Sequence, residues 1–265
     1  MYETNYHRAQ STDDAVAKLN AADDGKFVSG GQTLIPTMKQ RLAAPSDLID
    51  LRHIDAMKGI TIDGSTVTIG AATPHADVAN SAELASVCPG IASLAGHIGD
   101  PHVRNMGTIG GSIANIDPAA DYPAAMMALN ANIMTNKRTI AADDFFEGMF
   151  QTALEEDEII TAVSFEAPDK GAYSKFPNPA SRYAMAGVFV AKSGDGVRVA
   201  VTGAGSDGVF RHAGMEAALA SDWSGAAAAA CDVDEGDMLS DLHGNAAYRA
   251  NLVKVMAKRA VEAAG

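Results

Sequence analysis

The sequence predicts an α+β chain of three packed lobes. A small parallel unit is expected over residues 1–55, a mixed, mainly antiparallel sheet with helices over 56–168, and a C-terminal α+β lobe of three strands and helices over 169–265. Three observations predict this. A strand, a glycine turn, a helix and a strand follow one another between Lys26 and Leu51. Two hairpin patterns come next, and Ala167-Pro168-Asp169-Lys170-Gly171 then interrupts the chain like a linker. At 265 residues, with 47% hydrophobic and 20% charged residues, the composition is that of a globular protein of more than one lobe.

The first helix is expected from Ser11 to Ala22, where Ser11 and Asp14 form a capping pattern ahead of Ala15, Val16 and Leu19 at helical spacing. Gly25 ends it. Lys26-Phe27-Val28 reads as a short strand, Ser29 to Thr33 as a tight glycine turn, Leu34 to Leu42 as a helix, and Leu48 to Leu51 as the next strand. Ile60–Asp63 and Thr66–Ile69 pair across Gly64-Ser65. Short helices start at Pro74 and Pro89, a second glycine turn spans Thr108 to Ser112, and Ala124–Leu129 is helical. A second hairpin turns at Asn136-Lys137, and Ile159–Phe165 is a further strand. In the last lobe Met185–Ala191 and Val197–Val201 read as strands. Met215–Leu219 and Asn245–Ala263 are helical, the latter with Leu252, Val253, Met256 and Ala260 on one face.

The formal net charge of −13 repels nucleic acid and anionic membranes. No apolar run approaches the roughly 18 residues of a membrane span, and Met1-Tyr2-Glu3-Thr4 does not begin a secretory signal, so a cytoplasmic protein is expected. Cys88 and Cys231 stand far apart without CxxC spacing, too few thiols for an iron–sulfur cluster held by this chain alone. His75, His97 and His102 lack metal-ligand spacing, and no metal is expected. Asp100-Pro101-His102 beside Arg104 reads as a pinned surface loop rather than an acid/base pair, and no catalytic residue is expected.

The two glycine pairs, Gly30-Gly31 and Gly110-Gly111, carry more. Such a pair permits positive φ and lets N–H groups approach a ligand with no Cβ between them. A turn of this kind makes a concave nest for a phosphate, and a following helix adds partial positive charge. Two turns from different regions could clamp a pyrophosphate without lysines. Alone, Ser-Gly-Gly is an ordinary tight turn. Neither pair is a GxxxxGK or GxGxxG fingerprint, which removes the P-loop and Rossmann readings.

The longer strings are more specific. Ser29-Gly30-Gly31-Gln32-Thr33-Leu34-Ile35-Pro36 precedes Ile98-Gly99-Asp100-Pro101-His102-Val103-Arg104-Asn105-Met106-Gly107-Thr108-Ile109-Gly110-Gly111-Ser112-Ile113-Ala114-Asn115, and Asp121 follows. In this order and spacing they resemble the FAD-binding medium subunit of molybdenum hydroxylases of the aerobic carbon monoxide dehydrogenase and xanthine dehydrogenase type, over nearly the whole chain. The resemblance implies that the first two lobes form a two-part FAD-binding domain with FAD between them. It places Ser29, Gly30, Gly31, Gln32, Thr33 and Leu34 on one side of the cofactor and Thr108, Gly110, Gly111, Ser112 and Asn115 on the other. Val103 is expected beside it. Asp121 falls where the family hydrogen-bonds a sugar-like hydroxyl of FAD; the competing role is a helix cap. Ile98 falls near the isoalloxazine ring, and Lys175 and Tyr183 fall where the family places a lysine and a tyrosine beside the flavin. That last match is looser, because Pro177-Asn178-Pro179 stands where those enzymes are basic and Arg182 replaces an acidic residue.

The implied function is electron transfer, with FAD taking electrons from [2Fe–2S] clusters of a partner and passing them to an external acceptor. The implied partners are a large molybdopterin subunit and a small [2Fe–2S] subunit, in a dimer of heterotrimers, and the chain alone would be inactive. The alternative is a self-contained flavoprotein oxidase or dehydrogenase of the same fold.

Overall fold

The computed structural model describes all 265 residues. The first lobe contains β1 (Asn5–Arg8), α1 (Thr12–Ala21), β2 (Gly25–Val28), α2 (Leu34–Lys39) and β3 (Asp47–Asp50), with the parallel order β1-β3-β2. Ser11 caps α1, its hydroxyl accepting from the Asp14 amide at 3.1 Å. The sequence reading missed β1, whose four residues carry too little alternation to announce a strand. Helix α2 stops three residues before the expected Leu42. Arg41 turns left-handed at φ 62°, and the Leu42 amide folds back to the Thr37 carbonyl.

The second lobe opens with the hairpin β4 (Ile60–Asp63) and β5 (Thr66–Gly70). Six helices follow: α3 (His75–Asn80), α4 (Ala82–Val87), α5 (Pro89–Gly96), α6 (Pro101–Met106), α7 (Ile109–Asn115) and α8 (Tyr122–Ala128). Then come β6 (Asn132–Thr135), β7 (Thr139–Ala141), a helical turn α9 (Ala142–Phe145), the short pair β8 (Phe146–Gly148) and β9 (Gln151–Thr152), and β10 (Ile160–Glu166). The five-stranded order is β4-β5-β10-β6-β7. Both hairpins dock on β10, so every pairing is antiparallel, where a mixed, mainly antiparallel sheet was expected.

The third lobe has β11 (Lys170–Pro177), β12 (Ala184–Ser193), β13 (Gly196–Thr202), β14 (Phe210–Arg211), α10 (Ala213–Ser221), α11 (Gly225–Ala230) and α12 (Ala246–Ala264). Its sheet has four strands rather than the expected three, because Phe210 and Arg211 pair with Val201 and Ala200. A two-residue strand is too short to show periodicity. Strand β12 is buried along Ala184–Ala191, as a strand covered on both faces must be: α8 packs on one side and α12 on the other. Tyr173, Phe189, Ala191 and Ala200 thereby join the core of the second lobe. No helix is long and apolar enough to cross a membrane.

Candidate cofactor-binding cleft

A cleft of about 600 Å³ runs between the first two lobes, with Ser181, Arg182 and Tyr183 of the third at its mouth. One wall is the turn after β2. There Gly31 takes φ +68°, and the amides of Ser29, Gly30, Gly31, Gln32, Thr33 and Leu34 donate no hydrogen bond within the protein. Unpaired N–H groups in succession are costly unless water or a ligand accepts from them, and such a run suits an anion. Gly30 serves a second purpose. A Cβ there would lie 2.3 Å from the Met106 carbonyl oxygen and 2.5 Å from Gly107 Cα, so only glycine lets the first lobe meet the second at this point.

The opposite wall departs from the expected glycine turn. Gly110 and Gly111 lie in the first turn of α7, neither at positive φ, and Thr108 is its N-cap. The Ile109 amide donates to the Thr73 carbonyl, Gly110 to Ala71, Gly111 to Thr108 Oγ1 at 3.2 Å, and Ser112 to the Thr108 carbonyl. These amides are spoken for within the protein. Gly110 is required by packing, since a Cβ there would lie 2.5 Å from the Ala71 Cβ. The walls join where Ser29 Oγ and Thr108 Oγ1 share a hydrogen bond of 2.9 Å. At the end of α7, buried Ile116 takes φ 35°, a strained conformation for a β-branched residue, and sends the chain back along the cleft toward Asp117 and Asp121.

Of the residues singled out in the sequence, Ser29, Gly30, Gly31, Gln32, Thr33, Leu34, Ile98, Val103, Thr108, Gly110, Gly111, Ser112, Asn115, Asp121 and Tyr183 all line this cleft. Lys175 does not. Its ammonium is sealed behind Asp121, 2.9 Å from Oδ1 and 3.0 Å from Oδ2, and also donates to the His97 carbonyl at 3.2 Å. Asp121 caps nothing on α8. It instead accepts from Lys175 and the Tyr173 hydroxyl, tying the third lobe to the cleft wall. Burial pushes its carboxyl up, against the pull of Lys175 and Tyr173. Asp100 is an N-cap, accepting from the Val103 amide at 2.9 Å, and Arg104 donates to the Ile98 and Gly99 carbonyls. Burial raises the pKa of the Tyr183 phenol, with Asp117 and Asp121 adding to it.

Several lining residues were not assigned to a binding site from the sequence, among them Met57, His75, Asp117, Glu158 and Ile160. They come from four separate segments, and only folding collects them. Glu158 is bound by Arg138, whose guanidinium brings its pKa down to about 2. Asp117 accepts from the Ala119 amide.

The residues present fit a dinucleotide. Unpaired amides and a glycine at positive φ stand ready for phosphates, while Leu34, Met57, Ile98, Val103 and Ile160 offer apolar surface to rings. Two lobes closing on such a cleft, with a third at its mouth, define a flavoprotein of the two-part FAD-binding class. Comparison with known proteins makes this specific. Residues 2–167 match the family model of the FAD binding domain in molybdopterin dehydrogenase. The chain is 37% identical to the carbon monoxide dehydrogenase medium chain of Hydrogenophaga pseudoflava, covering 98% of this chain and 96% of that one. It is 35% identical to the nicotine 6-hydroxylase medium subunit of Paenarthrobacter nicotinovorans, with the same coverage. The structure superposes on reconstituted CO dehydrogenase from Oligotropha carboxidovorans with a TM-score of 0.89, at 35% identity and over 100% of this chain and 99% of the other. The chain belongs to the family of FAD-binding domains of molybdopterin dehydrogenases, a family of oxidoreductase subunits.

Proposed function

We propose that this chain is the FAD-carrying electron relay of a cytoplasmic molybdenum hydroxylase and works only in complex. A large molybdopterin subunit and a small [2Fe–2S] subunit would be its partners, in a dimer of heterotrimers. One observation carries the reading: the cleft offers open backbone amides for a cofactor, while its carboxylates are committed to structure, Asp121 to Lys175, Glu158 to Arg138 and Asp117 to a turn. Such walls hold and orient a ligand but leave no acid/base pair to work on a substrate. Bound FAD would supply the chemistry, since flavin accepts electrons singly from clusters and passes on one or two. The protein's share is to seat phosphates on Ser29–Leu34, keep the Gly111 side of the cleft clear, and close the mouth with Tyr183. Relatives of nearly equal identity are named for carbon monoxide and for nicotine, so the choice of substrate belongs to the molybdenum chain.

The test is co-expression with candidate cluster and molybdenum chains, followed by rapid-reaction spectroscopy. Substrate should bleach clusters and flavin in the complex and leave the flavin of the isolated chain oxidised. Steady turnover of a small donor by the isolated chain, at several per second, would replace this reading with a self-contained oxidase.

A further inference from the structure

Three side-chain polar atoms in the chain are sealed from solvent without a hydrogen-bond partner: His75 Nδ1, the Tyr122 hydroxyl and Arg249 Nε. Arg249 lies in the third lobe, where its other nitrogens bind the Met185 and Gly203 carbonyls and Asp241. The other two are neighbours. The His75 and Tyr122 rings lie 5.4 Å apart, tilted by 42°, and both residues are buried. A buried hydroxyl left unpaired is costly. Tyr122 stays a phenol, because burial and the Asp121 charge push its pKa far up, so its hydroxyl keeps a proton to donate. The other unpaired atom sealed beside it is His75 Nδ1. The two make no direct hydrogen bond, and each is left without a partner.

The consequence falls on the other ring nitrogen. Burial, with Arg104 nearby, brings the His75 pKa down to about 4, so the ring is neutral at physiological pH and carries one proton. A proton on Nε2 leaves Nδ1 as an acceptor for the neighbouring Tyr122 phenol. Nε2 stands against Gly107, where a Cβ would lie only 2.6 Å from it, and both residues line the cleft. The backbone fixes this placement: the His75 amide donates to the Gly107 carbonyl at 2.9 Å, and Pro74 bridges to Thr108. Gly30 meets Gly107, and Ser29 meets Thr108, along the same seam.

We propose that His75, oriented by Tyr122, presents a neutral Nε2–H to the cleft where the two glycine-bearing walls meet and donates it to a phosphoryl oxygen of the dinucleotide. The inference rests on the reading of the cleft as the FAD site and deepens it. Its physical advantage is that a neutral donor grips an anion without placing a second cation beside Arg104. FAD affinity should therefore be flat across neutral pH.

The experiment titrates the full-length apo chain with FAD, following flavin fluorescence, and records long-range ¹⁵N–¹H spectra of the histidine rings. The unbound wild-type chain should show His75 protonated on Nε2, and FAD should shift that signal. His75→Phe should weaken FAD binding about ten- to a hundredfold, the range for a lost hydrogen bond to a charged group. His75→Gln, whose amide reaches near the Nε2 position, should restore most of that loss. Tyr122→Phe should abolish the tautomer preference. A proton on Nδ1 in the wild-type spectrum, or His75→Phe binding FAD within twofold of wild type, overturns the role of His75 and leaves the FAD site standing. Wild-type chain that takes up no FAD overturns both readings.

Discussion

The two walls of the cleft carry the same Gly-Gly pair and use it differently. Gly30-Gly31 sits in an open turn: one glycine takes positive φ, the other admits the backbone of the opposite lobe, and the surrounding amides lack partners. Gly110-Gly111 sits in a helical turn whose amides are satisfied by Thr73, Ala71 and Thr108. The first wall is built to bind, and the second to be rigid. Rigidity also comes from outside, because the third lobe reaches in through Tyr173 and Lys175 to hold Asp121. A repeated motif in a sequence therefore need not mean a repeated device.

The most direct way to break the contrast is to cut the support of the second wall. Asp121→Ala leaves the Lys175 ammonium buried and uncompensated, which should cost about 3–5 kcal/mol in urea unfolding. Adding Lys175→Met should recover most of that loss. An Asp121→Ala cost below about 1 kcal/mol would show that the buried pair does not hold the wall.

Acid should act at the seam next. The unfolded chain protonates His75 near the ordinary value of 6.5, while the folded chain resists until about 4. The unfolded state therefore binds more protons in this window, and stability should fall as pH drops from about 6.5 to 4, by on the order of 3 kcal/mol at most. His75→Gln should unfold with a shallower pH dependence there. Parallel wild-type and variant curves would mean that His75 is not kept neutral.

The glycines themselves sharpen the comparison at smaller cost. Gly30→Ala drives a methyl into the Met106–Gly107 backbone and should destabilise by about 1–3 kcal/mol while lowering FAD affinity. At Gly111 the nearest atom to a new Cβ is Thr108 Oγ1 at 3.0 Å, and alanine gains up to about 1 kcal/mol of helix propensity. Gly111→Ala should leave the melting temperature nearly unchanged and weaken FAD alone. Unaltered FAD affinity would mean that the second wall does not approach the cofactor.

Much of this was legible in the sequence because local rules bind strongly. The Ser11 cap, the two hairpins, and the glycine turn after Val28 each follow from a few adjacent residues. The strings around Gly30 and Gly110 were long enough to reveal the family, and with it the residues lining both walls. Elements without an apolar pattern escaped: β1 is Asn5-Tyr6-His7-Arg8, with no aliphatic residue to mark an inner face, and β14 has only two residues.

What the sequence alone determined was the inventory: two glycine-bearing strings and, through them, the FAD-binding family. Only the tertiary structure decided how each part works. It made Gly110 a packing requirement, because Ala71 lies 39 residues upstream and only folding brings it against α7. It turned Lys175 from a residue expected beside the flavin into the buried partner of Asp121, because β11 stacks behind the cleft rather than opening into it. It also brought His75 beside Tyr122 and Gly107, from three stretches of chain with no shared motif. Spacing along the chain fixes what neighbours can do, whereas burial and pairing are set by residues remote in sequence, and those decide which side chains remain free to bind.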